Sequence, residues 1–351
     1  MTVAEAGAIA LPVAPRRATA LVARDATFDT MRGLAVLMVV GIHTLHAPTD
    51  SAWATTIDAA LRPCVPIFLF TSGYFTARKG EVSLARRLRA ALAPYVVAFI
   101  AAYAYMAWHN PAMDHRPAAT LARFALGYVF VYYYVFVYVG CTLALWLVFR
   151  VTIEGRSQRR QWLAPLLVLA IVFGLVVCAY IGPVLQRFGV SDAVIAEIRL
   201  RDLPFWFGLT SLGTLVGIFA APTIFRDLRG LLLVAAVLAY CCYALVRVFG
   251  VGDTAPYDSI AFFPYAALFC MTLFAFAPRF AFLATLGSGS YFIYLWHIFF
   301  VTALRDHTPL QHYGLLVDWL VSYGVVLAAS ILLLVLVRRT GSERLRFWLG
   351  A

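Results

Sequence analysis

The sequence predicts an all-α fold, a polytopic transmembrane helical bundle of about ten spans with both ends on the cytoplasmic side. Three observations predict it. Of 351 residues, 63% are apolar and only 13% charged, where a soluble domain carries roughly 25% charge. The apolar residues gather into runs of roughly the 20 residues that a bilayer crossing needs. The basic residues, 28 against 17 acidic ones for a net charge of +11, lie between those runs and mostly on alternate connections. Because the positive charge forms no single patch, a nucleic-acid partner is not expected.

In order, the apolar runs cover 28–47, 60–77, 91–108, 124–149, 162–181, 204–221, 231–249, 259–277, 285–305 and 314–337. The fourth is long enough to tilt or to extend past the bilayer. With the N-terminus inside, the inner connections collect Arg16, Arg17 and Arg24, then Arg78, Lys79, Arg86, Arg87 and Arg89, and finally Arg338, Arg339, Arg344 and Arg346. That bias places both ends in the cytoplasm and the chain in a plasma or inner membrane. Residues 1–25, rich in Ala and Pro, read as a flexible tail, 26–340 as the membrane domain and 341–351 as a short C-terminal tail. The stretch Ser191–Arg201 predicts a short interfacial helix. The basic stretch RKGEVSLARRLRA (78–90) reads either as a charge anchor or as an amphipathic helix along the inner surface.

The six cysteines lie inside apolar runs without CxxC or Cys/His spacing, so they read as small hydrophobes. Neither a disulfide nor a metal site is expected. Whether the chain forms a homo-oligomer stays open.

Ionisable groups inside a span are costly and mark function. The first span carries Asp29, Arg32, His43 and His46. At ~100° and ~1.5 Å per residue, the step from Arg32 to His43 returns to within about 20° of one face and rises ~16 Å. Asp29, three residues before Arg32, is placed to pair with it. A histidine at that depth suits proton abstraction, and a hydrogen bond to a neighbouring helix is the other reading. In the second span, Pro63 and Pro66 weaken the helical ladder, and Ser72-Gly73 offers a hydroxyl beside a close-packing spot. In the ninth, Ser290, Tyr294 and His297 fall at steps of four and three on one face, a polar stripe that should face a cavity or another polar helix.

These features resemble the acyltransferase 3 family of membrane acyltransferases. The first span, with Asp29, Arg32-Gly33 and His43, resembles the family's opening helix. VPIFLFTSGYF (65–75) is similar to its Ser-Gly-Tyr segment, and Arg86-Arg87-Leu88-Arg89 followed by Pro94-Tyr95 to its Arg-x-x-Arg and Pro-Tyr region. SYFIYLWH (290–297) is similar to its late Ser…Tyr-Leu-x-His motif. The fourth span departs from the pattern, with Tyr132-Tyr133-Tyr134-Val135-Phe136 where a His/Leu-Trp-Phe-Leu type of sequence is expected.

The resemblance implies transfer of an acyl group, usually acetyl from acetyl-CoA, to a hydroxyl of a saccharide, a glycolipid or another exported acceptor. On that reading Arg32, Arg86 and Arg89 meet the phosphates of the donor, with Asp29 orienting Arg32. His43 acts as base or carries the acetyl group transiently. Ser72, Tyr294 and His297 line the cavity or hold the oxyanion. The competing reading is a transporter or flippase in which Asp29, Arg32 and His43 relay protons. It calls for repeats and paired broken helices, which the sequence does not clearly show.

Overall fold

A carboxylate before an apolar run starts the first element: Asp25 accepts from the Thr27 amide at 2.9 Å and caps α1 (Ala26–Thr44). In the computed structural model, which describes residues 25–45, 51–110, 112–152, 161–219 and 222–351, every regular element among the described residues is helical. His46 and the expected tail before Asp25 lie outside them.

Ser51 caps the short α2 (Ala52–Leu61), which leads into α3 (Cys64–Lys79). Pro63 and Pro66 do not weaken a span here. They sit at the start of α3, where a missing N–H costs nothing, so the second expected span is shorter than its apolar run. Gly80, at φ +72, ends α3. A short turn leads to α4 (Leu84–His109), so the basic stretch is divided between the last turn of α3, with Arg78 and Lys79, and the first turns of a 26-residue helix, and forms no separate surface helix. There follow α5 (Pro117–Leu126), α6 (Tyr133–Thr152), α7 (Leu163–Arg187), α8 (Asp192–Leu200) and α9 (Leu203–Phe219). Helix α8 is the short element expected at 191–201. The chain continues through α10 (Pro222–Asp227), α11 (Arg229–Phe249), α12 (Phe262–Phe276), α13 (Ala281–Ser288), α14 (Ser290–His307), α15 (Leu315–Thr340) and α16 (Glu343–Leu349). The last is the segment read as a C-terminal tail. Its end docks on the bundle, with Trp296 donating to the Leu349 carbonyl at 3.2 Å.

Each expected span overlaps a helix, but by length and apolarity six segments qualify to cross a membrane: α4, α6, α7, α8 with α9, α11 and α15. Helices α3 and α12 are short, at 16 and 15 residues, while α1 and α14 dilute their apolar character with ionisable groups. The packing follows from this composition. Helices α1, α3 and α14 hold the centre, with Met31, Val36, Ile67, Phe70, Phe292 and Leu295 buried. Helices α7 and α11 turn Leu169, Phe173, Leu231 and Leu238 outward, as lipid-facing surfaces do.

Two glycine contacts bring backbones together. A Cβ on Gly73 of α3 would strike the Thr210 carbonyl of α9, and one on Gly213 of α9 would strike the Phe70 carbonyl. Helix α13 crosses α1 in the same way, Gly33 against the Leu283 carbonyl and Gly287 against the Asp29 carbonyl.

Two of the expected spans are interrupted. The ninth breaks at Gly289 between α13 and α14. The fourth begins late, because 128–132 is not regular helix and Phe130 takes φ 50. Non-helical backbone inside a bundle needs partners for its carbonyls. Tyr294 supplies one, donating to Val131 O at 2.8 Å, while Tyr132 donates in return to Leu295 O and Tyr95 to Phe124 O in the last turn of α5, both at 2.8 Å.

Candidate functional site

Where α1, α3 and α4 meet the break between α13 and α14, the helices leave a cavity of about 510 Å³. Its polar wall comes from the first turns of α1 and the last turns of α3. Asp29 and Arg32 face it from α1, and Arg32 Nη1 lies 3.3 Å from Asp29 Oδ1. The Arg32 guanidinium also stands 5.5 Å from the centre of the Phe75 ring. From α3 come Ser72 and Lys79, and from α4 comes Arg87. Arg87 donates one Nη2 bond to Thr76 Oγ1 at 2.6 Å, while its Nη1 is buried without a partner. A buried guanidinium nitrogen left unpaired is costly, and an anionic ligand in the cavity would satisfy it. Tyr134 and Tyr138 of α6 and Ser290, Tyr291 and Tyr294 of α14 form the opposite wall.

The cavity therefore gathers Asp29, Arg32, Ser72, Ser290 and Tyr294 from among the residues singled out in the sequence. It does not gather Arg86 or Arg89. Arg86 is exposed and donates to Ser83 Oγ at 2.9 Å, and Arg89 stacks 5.3 Å from the Phe347 ring of α16. The reason is helical phase. The buried face of α4 runs through Ala91, Pro94, Tyr95, Ala98 and Ala102, and one turn back from Ala91 on that face stands Arg87. The signal for Arg87 was thus present in the apolar period of α4. Nothing local in the sequence marks Lys79, Tyr134 or Tyr138, which meet the others only through packing between helices.

His43 and His297 lie behind the tyrosine wall rather than on it. The ring centroids of Tyr294 and His297 are 6.4 Å apart, and those of His297 and His43 are 5.3 Å apart. His297 is fully buried, its Nδ1 within 3.0 Å of Ile293 O and 2.8 Å of Tyr294 O, and its Nε2 has no partner. The backbone around His43 is held from two sides: Arg305 donates to His43 O at 2.9 Å and Trp319 to Gly41 O at 3.0 Å.

Arg62, at the end of α2, stands over the Tyr257 ring at 4.6 Å. It is clamped by Asp58 through Nε at 2.9 Å and Nη2 at 2.6 Å, and Arg247 adds a bond to the same carboxylate at 2.5 Å. Burial pushes the Asp58 carboxyl up, but the two guanidiniums outweigh it and hold the group below its ordinary value.

Among the described residues no group of three or more His, Cys, Asp or Glu side chains is placed to hold a metal ion. The arrangement is an anion-ready cleft with a pair of imidazoles one layer deeper. Against known proteins, residues 25–339 match the family model described as an acyltransferase domain. No curated protein and no solved structure matches the chain.

Proposed function

The chain belongs to the acyltransferase 3 family and is a membrane acyltransferase, and from that premise we propose that it moves an acetyl group from acetyl-CoA to a hydroxyl of a saccharide, a glycolipid or another exported acceptor. The observation that carries this reading is the convergence of Arg32, Lys79 and Arg87 on one cavity, with an unpaired buried guanidinium nitrogen among them. Phosphates of a nucleotide thioester supply the matching charge, and guanidinium binds them at more than one point. Asp29 orients Arg32. Arg86 and Arg89, on the neighbouring phases of α4, add positive charge around that end of the bundle.

In this reading the ten helical segments α1, α3, α4, α6, α7, α9, α11, α12, α14 and α15 cross a plasma or inner membrane, with both ends inside. The donor's nucleotide stays at the cytoplasmic cleft. Its pantetheine arm runs inward past Ser72 and the Tyr134–Tyr294 pair, over a rise comparable to the ~16 Å between Arg32 and His43. His43 takes the proton of the acceptor hydroxyl as the oxygen attacks the thioester carbon, the C–S bond breaks, and the proton passes to the departing thiolate. Ser72 and Tyr294 line the path of the arm.

The test is thiol release and label transfer from radiolabelled acetyl-CoA by the purified full-length protein. His43→Ala is expected to abolish both, while the variant keeps the wild-type melting temperature. Transfer at the wild-type rate by a folded His43→Ala protein would remove His43 from the chemistry. Surface glycans from a strain lacking the protein are expected to lose one acetyl mass per modified sugar.

A further inference from the structure

A buried polar atom near the proposed base stands without a partner: Nε2 of His297, on the central helix α14. Its other nitrogen is committed. Nδ1 sits 2.8 Å from Tyr294 O and 3.0 Å from Ile293 O, and carbonyl oxygens only accept, so Nδ1 carries the hydrogen. A neutral ring with its hydrogen fixed on Nδ1 presents a lone pair at Nε2. That lone pair needs a donor, because an unpaired buried polar atom carries the full cost of its lost hydration.

The neighbouring ring is His43, at 5.3 Å between centroids. Two imidazoles joined end to end by an N–H···N bond of ~2.9 Å have centroids ~5.3 Å apart, once about 1.2 Å from nitrogen to ring centre is added on each side. The observed separation equals that value to within a tenth of an ångström or so. The rings are tilted by 37° and Nε2 has no partner as they stand, so the bond requires the His43 ring to turn toward His297.

We propose that His297 is the positioning residue for His43. Its backbone-locked tautomer accepts a hydrogen from one nitrogen of His43 and so leaves the other His43 nitrogen bare to take the acceptor proton. The inference rests on the reading of His43 as base. During transfer the hydroxyl proton goes to the bare nitrogen of His43, and the His43–His297 bond becomes charge-assisted while His43 is cationic. The proton then leaves with the thiolate, and both rings return to their starting tautomers. No proton has to pass through His297. This is the logic by which a buried acceptor fixes a catalytic imidazole in one tautomer, with an imidazole lone pair in place of a carboxylate.

The test uses the full-length protein in detergent with ¹⁵N-labelled histidine, and compares His297→Phe, which fills the space but accepts nothing, with His297→Gln, whose amide oxygen accepts. Nitrogen NMR is expected to show His43 as a single tautomer in the wild type and His297→Gln, and as a mixture in His297→Phe. Thiol release from acetyl-CoA is expected to fall at least 30-fold in His297→Phe with the KM for acetyl-CoA unchanged, and to recover to within about 5-fold of wild type in His297→Gln. An unaltered His43 spectrum in His297→Phe overturns the proposal, whatever the activity. So does wild-type turnover by His297→Phe in a protein that His43→Ala inactivates. If instead His43→Ala itself turns over normally, the reading of His43 as base fails, and the tautomer measurement still decides whether His297 orients it.

Discussion

Arg87 reaches across the turn between α3 and α4 to donate to Thr76 Oγ1 at 2.6 Å, and this bond aims the rest of its guanidinium at the cavity. Thr76 is itself fixed, its hydroxyl donating to Ser72 O at 2.8 Å. The pair thus ties a cation to the same turn of α3 that presents Ser72.

Arg87→Ala is expected to raise the KM for acetyl-CoA about 10- to 100-fold with little change in kcat, the loss of one or two charge-assisted bonds to a ligand bound equally in ground and transition states. Arg86→Ala and Arg89→Ala, whose side chains lie outside the cavity, are expected to change KM by less than about 3-fold. Equal losses from all three would mean that the charge of the whole α4 terminus, not its inward face, binds the donor.

Gly33→Ala is expected to destabilise the protein by about 1–3 kcal/mol, the usual cost of overpacking, because the added methyl meets the Leu283 carbonyl. Gly230→Ala, which meets nothing within 4 Å, serves as the control. Melting of the two variants in detergent checks the crossing of α1 and α13. Equal melting temperatures would contradict the close contact.

Tyr132→Phe and Tyr294→Phe each free one backbone carbonyl, of Leu295 and Val131 respectively. Each is expected to cost about 1 kcal/mol. Because both bonds fasten 128–132 to α14, limited proteolysis in that stretch should accelerate in the double variant. Unchanged cleavage would show that side-chain packing alone holds the segment.

Asp58 offers a pH-dependent check. Its carboxyl is held below the ordinary value of 3.8 in the folded protein, chiefly by Arg62 and Arg247 working against burial. A depressed carboxyl stabilises fully above 3.8, and that stabilisation disappears as the pH falls through the lower folded value. Asp58→Asn is therefore expected to lower the melting temperature at pH 7, with the gap to wild type closing below about pH 3.8. A gap that persists in acid would assign the loss to packing instead of charge.

The sequence by itself determined the helical membrane class, because apolar run length is a local property that a bilayer reads directly, and its short motifs in order carried the resemblance to the family. It also placed Asp29 and Arg32 on one face of α1, and Ser290, Tyr294 and His297 on one face of α14, since helical phase is fixed by spacing. Only the tertiary structure decided which faces meet. It turned Arg87 inward and Arg86 and Arg89 outward, broke the ninth apolar run at Gly289, and brought His297 of α14 to His43 of α1. Those outcomes depend on how helices distant in the chain pack, and on tyrosine hydroxyls satisfying backbone that leaves the helix, so no single stretch of sequence carries them.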